Sequence, residues 1–230
     1  MKTIKGIIPP MITPLKGDDQ IDREGTVRLT EHILAGGVHA LFLLGTTGEA
    51  QSLSYECRYD FVELVCRQVA GRVPVLVGVT DTSLDESVKL AAHAAKCGAV
   101  AVVAAAPYYF APSQQELIEY YTALADALPL PLFLYNMPSH VKVFLEPATV
   151  KTLAEHPNIV GLKDSSANMT YFQTLLYHLG DREDFALYVG PEELTGESVV
   201  MGADGGVNGG ANIFPELYVQ MYYAACNRDV

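Results

Sequence analysis

The sequence predicts a (β/α)8 barrel. Short apolar runs recur along the chain at near-equal spacing, and segments with helical patterning and capping residues lie between them. The runs are continuous rather than alternating, which marks strands buried on both faces. The competing architecture is a doubly wound sheet. Eight near-equal units, with no G-x-G-x-x-G after the first strand, favour the barrel.

The elements follow in order. GIIPPMIT (6–13) is the first strand, though its Pro pair cannot donate to a ladder. ALFLLG (40–45) is the second and VPVLVGV (73–79) the third. Gly71 suits the stop of the helix before the third. Ser83-Leu84-Asp85-Glu86 has capping-box spacing and opens a helix with Leu90, Ala94 and Cys97 on one side and Gly98 at its close. AVAVVAAA (99–106) is the fourth strand, and Ser113 to Glu116 repeats the capping device. LPLFLYN (130–136) and IVGLK (159–163) are the fifth and sixth strands, with Pro147 in the first turn of the helix between them. FALYVG (185–190) precedes Pro191, which suits another first turn, and Gly202 suits its end. GGVNGG (205–210) is the glycine-rich eighth, and a last helix runs from about Pro215 to Cys226. Most runs are roughly 27 to 33 residues apart. No linker or low-complexity segment interrupts them, so residues 1–230 read as one barrel domain.

Composition narrows the function. The chain has 230 residues, is 50% hydrophobic and carries a formal charge of −12. Such an acidic chain repels phosphate backbones and anionic lipid surfaces, so neither nucleic acid nor membrane is an expected partner. The four cysteines are scattered without C-x-x-C spacing, which fits reduced thiols in a cytoplasmic protein. No H-E-x-x-H occurs, so no metal is signalled. The N-terminal segment lacks the apolar run of a signal peptide. The uncharged window from Cys97 to Gln115 contains Gly98, Pro107 and Pro112, and reads as a buried strand plus a loop.

Barrel active sites lie at the C-terminal ends of the strands. Those ends are Gly45-Thr46-Thr47-Gly48-Glu49, Pro107-Tyr108-Tyr109, Tyr135 to His140, Lys163-Asp164-Ser165-Ser166, and Gly205 to Gly210. Lys163 is the one lysine among them. The bland reading is a lysine snorkelling its head to water. The functional reading is an amine that forms a Schiff base with a carbonyl substrate. That requires the free base, which desolvation favours, and Ile159, Val160 and Leu162 supply apolar surroundings. Imine chemistry also needs a proton shuttle. Tyr135 on the adjacent strand is the natural donor, with Thr46 and Tyr109 as relay partners. The glycines of G-T-T-G-E permit a turn whose amides converge on an anion such as the carboxylate of a 2-oxo acid. The run GGVNGG, which contains the candidate substrate-binding residue Asn208, suits a phosphate cradle or, preferably, close packing at the rim, because no lysine or arginine lies nearby.

Taken together, G-T-T-G-E at 45–49, P-Y-Y at 107–109, Y-N-x-P at 135–138, G-x-K at 161–163, and G-A-x-G with A-N-I-x-P at 202–215 resemble the dihydrodipicolinate synthase/N-acetylneuraminate lyase family of class I aldolases. The motifs stand in family order over nearly the whole chain. The resemblance implies pyruvate bound as a Schiff base on Lys163, proton transfer by Tyr135, Thr46 in the relay, and Thr46 and Thr47, with Gly45, around the pyruvate carboxylate. It implies an aldehyde or sugar-acid co-substrate and no cofactor. It also implies that Tyr109 completes the relay of a neighbouring subunit, in a homodimer or homotetramer. Two departures stand out. His140 occupies the place where synthases carry an arginine for the second substrate, and the chain ends where family members usually continue into a small helical domain. The reactions in view are dihydrodipicolinate synthesis, cleavage of 2-keto-3-deoxy sugar acids, and N-acetylneuraminate cleavage. The non-enzymatic alternative is a 2-oxo-acid-binding barrel without turnover.

Overall fold

The computed structural model describes residues 4–229. The extreme ends of the N-terminal segment and of the 1–230 unit (residues 1–3 and 230) lie outside the described residues. Eight parallel strands form one sheet: β1 (Gly6–Ile7), β2 (Leu41–Leu43), β3 (Val75–Gly78), β4 (Ala101–Ala105), β5 (Leu132–Asn136), β6 (Ile159–Asp164), β7 (Ala186–Val189) and β8 (Gly205–Gly206). Seven of the eight apolar runs contain one of them whole, and β6 runs one residue past its run, to Asp164. They pair in the order β1-β8-β7-β6-β5-β4-β3-β2.

The continuation of β1 closes the barrel against β2. Pro10 bridges Phe42 in parallel, Phe42 N donates to Pro9 O at 3.0 Å, and Met11 N donates to Phe42 O at 2.9 Å. The Pro pair therefore does not break the closure. A proline lacks the donor but keeps the acceptor, and the ladder here draws on the acceptor of Pro9. Gly205 is required on the other side of β1, because a Cβ there would sit 1.9 Å from the Gly6 carbonyl oxygen. β3, β4, β5 and β7 are buried along their whole length, which is why their sequences show no alternation.

Besides a one-turn helix at Pro138–Val141, the α-helices among the described residues are α1 (Arg23–Ala35), α2 (Tyr55–Val69), α3 (Leu84–Lys96), α4 (Gln114–Ala127), α5 (Pro147–Leu153), α6 (Met169–Leu179), α7 (Thr195–Val200) and α8 (Pro215–Asn227). Ser113 and Glu116 form a complete capping box on α4. On α3 only half of the expected box exists. Ser83 accepts from the Glu86 amide, but the Glu86 carboxylate turns outward to Lys89 at 2.6 Å. Gly98, with φ +92°, takes the left-handed position after α3. Pro147 opens α5 as expected. Pro191 instead precedes a single 3₁₀ turn, Glu192–Leu194, because β7 ends only at Val189. Periodicity did not reveal a short hairpin between β1 and α1, Leu15–Gly17 with Gln20–Ile21. None of the described helices is long and apolar enough to cross a membrane.

Candidate active site

β5 and β6 set the centre of the site. Their register places Tyr135 directly opposite Lys163. Both residues are only 6% exposed. The Lys163 amine lies 4.3 Å from the centre of the Tyr135 ring and 5.2 Å from that of Phe42 on β2. Two aromatic faces at this range offer the amine, whenever it carries a proton, electrostatic attraction that offsets part of its lost hydration. The Tyr135 hydroxyl stands 3.3 Å from Thr46 Oγ1. Burial alone would push this phenol upward. The Lys163 charge, followed by hydrogen-bonding interactions with Thr46, Ser165 and Lys163, outweighs burial and holds it below the usual tyrosine value. A phenol tuned this way parts with its proton more readily, as a shuttle requires.

A cavity of about 340 Å³ opens above the pair, lined among others by Gly45, Thr46, Tyr135, Met137 and His140. Lys163 does not line it. Lys163 instead borders a small void with Ile8, Val103 and Phe133. Phe42 borders both spaces, and Tyr135, whose ring the amine contacts, lines the larger one.

The loop Gly45 to Glu49 is held in a defined shape. Leu44 and Glu49 adopt left-handed conformations with φ 56° and 53°, and Thr13 Oγ1 ties the loop by donating to Gly48 O at 2.8 Å. The amides of Gly48 and Glu49 are used within the turn, bonding Gly45 O and Thr46 O. Those of Thr46 and Thr47 donate to no protein acceptor among the described residues, and both residues are exposed at the mouth. Two adjacent free amides beside a hydroxyl suit a small carboxylate.

The other candidates divide. His140 is exposed on the one-turn helix Pro138–Val141, lines the cavity, and pairs through Nδ1 with Ser139 Oγ at 3.0 Å. Tyr109 is 75% exposed and stacks edge-on against Phe110, outside the cavity lining. Asn208 is fully buried, donates to Thr195 Oγ1 at 2.8 Å, and leaves Oδ1 without a partner, so it does not join the cavity. The glycine-rich run forms no open cradle at Gly210. Its amide donates to Glu192 Oε1 at 2.6 Å, and Tyr218 donates to the other oxygen of that carboxylate. A carboxylate already on the amide leaves no place there for phosphate, in keeping with the close-packing reading. Ser165 stands at a candidate strand end in the sequence but receives no role there, although it interacts with the phenol. Its position two residues beyond Lys163, where strand alternation returns to the same side, is the signal that marks it. Phe42 carried no such signal, because it is one apolar residue in an apolar strand.

A closed parallel barrel with a buried amine, phenol and threonine hydroxyl at the C-terminal ends of its strands has the fold and the groups that a class I, imine-forming lyase needs. The comparisons name the family within that class. Residues 3–230 match the model of the dihydrodipicolinate synthetase family. A 4-hydroxy-tetrahydrodipicolinate synthase from Hyphomonas neptunium is 40% identical over 98% of this chain and 76% of its own length. A solved dihydrodipicolinate synthase from Bacteroides thetaiotaomicron shares 59% identity, with a TM-score of 0.97 over 100% of this chain and 77% of its own. The Escherichia coli prophage protein YagE, solved in complex with pyruvate, shares 34% identity with a TM-score of 0.94, over 98% of this chain and 76% of its own. The chain belongs to the dihydrodipicolinate synthetase family and is an enzyme of its class, a pyruvate-dependent synthase or aldolase.

Proposed function

We propose that the chain joins pyruvate to, or releases it from, an aldehyde through an imine on Lys163. The observation that carries this reading is the contact of the Lys163 amine with the Tyr135 ring, whose hydroxyl meets Thr46. The pyruvate carboxylate rests on the free amides of Thr46 and Thr47, which turns its ketone toward the strand ends. The amine, as the free base once its proton has passed into the hydroxyl relay, adds to the carbonyl carbon. Tyr135 delivers a proton to the departing oxygen, water leaves, and the imine forms. The deprotonated phenol then removes a proton from the pyruvate methyl group, giving an enamine that attacks the aldehyde carbon. Thr46 and Ser165 pass protons to and from the phenol.

The aldehyde enters along Met137 and His140. Neither arginine nor lysine lines this side, so no guanidinium fork is available for a second carboxylate. This favours a neutral or hydroxylated aldehyde over an amino-acid semialdehyde. Borohydride reduction with pyruvate, followed by peptide mass spectrometry, should place the adduct on Lys163 and find none in Lys163→Arg. A folded wild-type protein without the adduct overturns the reading.

A further inference from the structure

The amine and the phenol are only as well placed as the strand ends that carry them. We propose that a buried pair on the opposite side of those strands, Asn136 and Asp164, is a positioning latch for Lys163 and Tyr135. The inference rests on the imine reading above and concerns what makes that imine form quickly.

The register that sets Tyr135 against Lys163 sets Asn136 against Asp164 one step further along. Successive residues of a strand project to opposite faces, so the second pair leaves the barrel interior. Both are 1% exposed. Asn136 Nδ2 donates to Asp164 Oδ1 at 2.8 Å, and Asn136 Oδ1 accepts from Leu145 N at 3.1 Å. Asp164 Oδ1 also accepts from Ser166 N at 3.1 Å, and Oδ2 accepts from Ser166 Oγ at 2.9 Å. The backbone completes the tie. Asn136 O accepts from Ser165 N at 2.8 Å, and Asp164 O accepts from Gly190 N at 2.7 Å. The ends of β5, β6 and β7 are thus fastened together, with the loops that carry His140 and Ser165.

Neither residue lines the cavity, so neither touches substrate. Simple packing would be served by apolar side chains without the cost of desolvating a carboxylate. What a fully satisfied polar pair adds is direction, since each bond fixes an orientation as well as a distance. Of the titratable groups, Tyr171 from α6 faces Asp164, while Lys163 and Tyr135 project to the other side of the sheet. Burial raises the Asp164 carboxyl above its usual value, and its bonds to Asn136 and Ser166 pull it back.

Asn136→Asp tests the latch. It sets two carboxyls against each other, and they can pair only by sharing a proton. Relative to wild type at the same pH, the rate of borohydride-trappable imine formation should fall about tenfold at pH 8 and recover as the pH falls toward about 5.5. Adding Asp164→Asn restores a donor–acceptor pair with its polarity reversed, and should regain most of that loss at pH 8. Ser166→Ala, which removes the Oγ bonds to Asp164 Oδ2 and from Asn168 N, should slow trapping about threefold in a protein that stays folded. A folded Asn136→Asp protein that traps at the wild-type rate at pH 8 overturns the proposal. So does a double variant no faster than the single one, or, should Asn136→Asp not fold, a Ser166→Ala protein that matches wild type. Wild-type protein that traps no pyruvate overturns the imine reading itself, and the latch with it.

Discussion

The proposed chemistry turns on Tyr135. Its ring touches the amine and its hydroxyl meets Thr46, so under the proposed function it serves proton transfer more than binding. Tyr135→Phe keeps the ring and the packing but removes the proton. We expect kcat to fall by about 10²- to 10⁴-fold. Pyruvate affinity, measured by calorimetry, should change far less; equal losses would contradict a shuttle. His39 gives a residue-scale prediction of a different kind. Its Nδ1 accepts from Ile7 N at 3.0 Å, its Nε2 meets Tyr223 Oη at 3.2 Å, and burial pushes it below its usual value of 6.5. The unfolded chain therefore binds the proton more readily. The histidine's contribution is complete above 6.5 and is lost as the pH falls through the lower folded value. Melting temperatures from pH 7.5 to 5 should drop more steeply for wild type than for His39→Asn, which keeps an acceptor but does not titrate.

At the scale of elements, the caps show how far a local pattern can be trusted. Ser113 and Ser83 have the same spacing to a glutamate, yet only Ser113 has the reciprocal bond. Ser113→Ala should cost about 1 kcal/mol in chemical denaturation. Ser83→Ala should cost less, because its bond to Glu86 N is long at 3.4 Å and Glu86 is engaged with Lys89. Equal costs would show that the reciprocal bond adds nothing. The strands were legible as continuous apolar runs, since a parallel sheet covered on both faces leaves no polar side to alternate with. The hairpin at 15–21 was not, because its first strand is fully exposed and its second only partly covered, so no burial pattern marks either.

At the scale of the whole molecule, the barrel gathers residues from β2, β5 and β6 into one centre but leaves Tyr109 outside. Its ring and that of Phe110 present apolar surface to solvent at the mouth, at 75% and 80% exposure. We expect a second copy of the chain to cover this pair and to receive Tyr109 in its relay. Tyr109→Phe and Tyr135→Phe proteins should each be nearly inactive alone. Mixed in equal amounts and allowed to exchange subunits, they should regain about a quarter of wild-type activity, since half the dimers are mixed and each holds one intact site. Absence of recovery despite exchange would confine Tyr109 to its own subunit or to no catalytic role.

The sequence by itself determined the barrel and its order of strands, and marked Lys163, Tyr135 and Thr46 as candidates. These follow from local properties: the spacing of apolar runs, and the rule that a parallel barrel displays its chemistry at the C-terminal ends of its strands. Only the tertiary structure decided which strand-end residues meet. Asn208 lies in a glycine-rich run at the barrel rim yet turns to Thr195, and Tyr109 follows β4 yet faces solvent. The latch behind the site was equally invisible, because Asn136 and Asp164 become partners only when two strands, far apart in the chain, pair in one register. Side-chain direction at a strand end depends on register and on what packs behind it, and neither is a property of any short stretch of sequence.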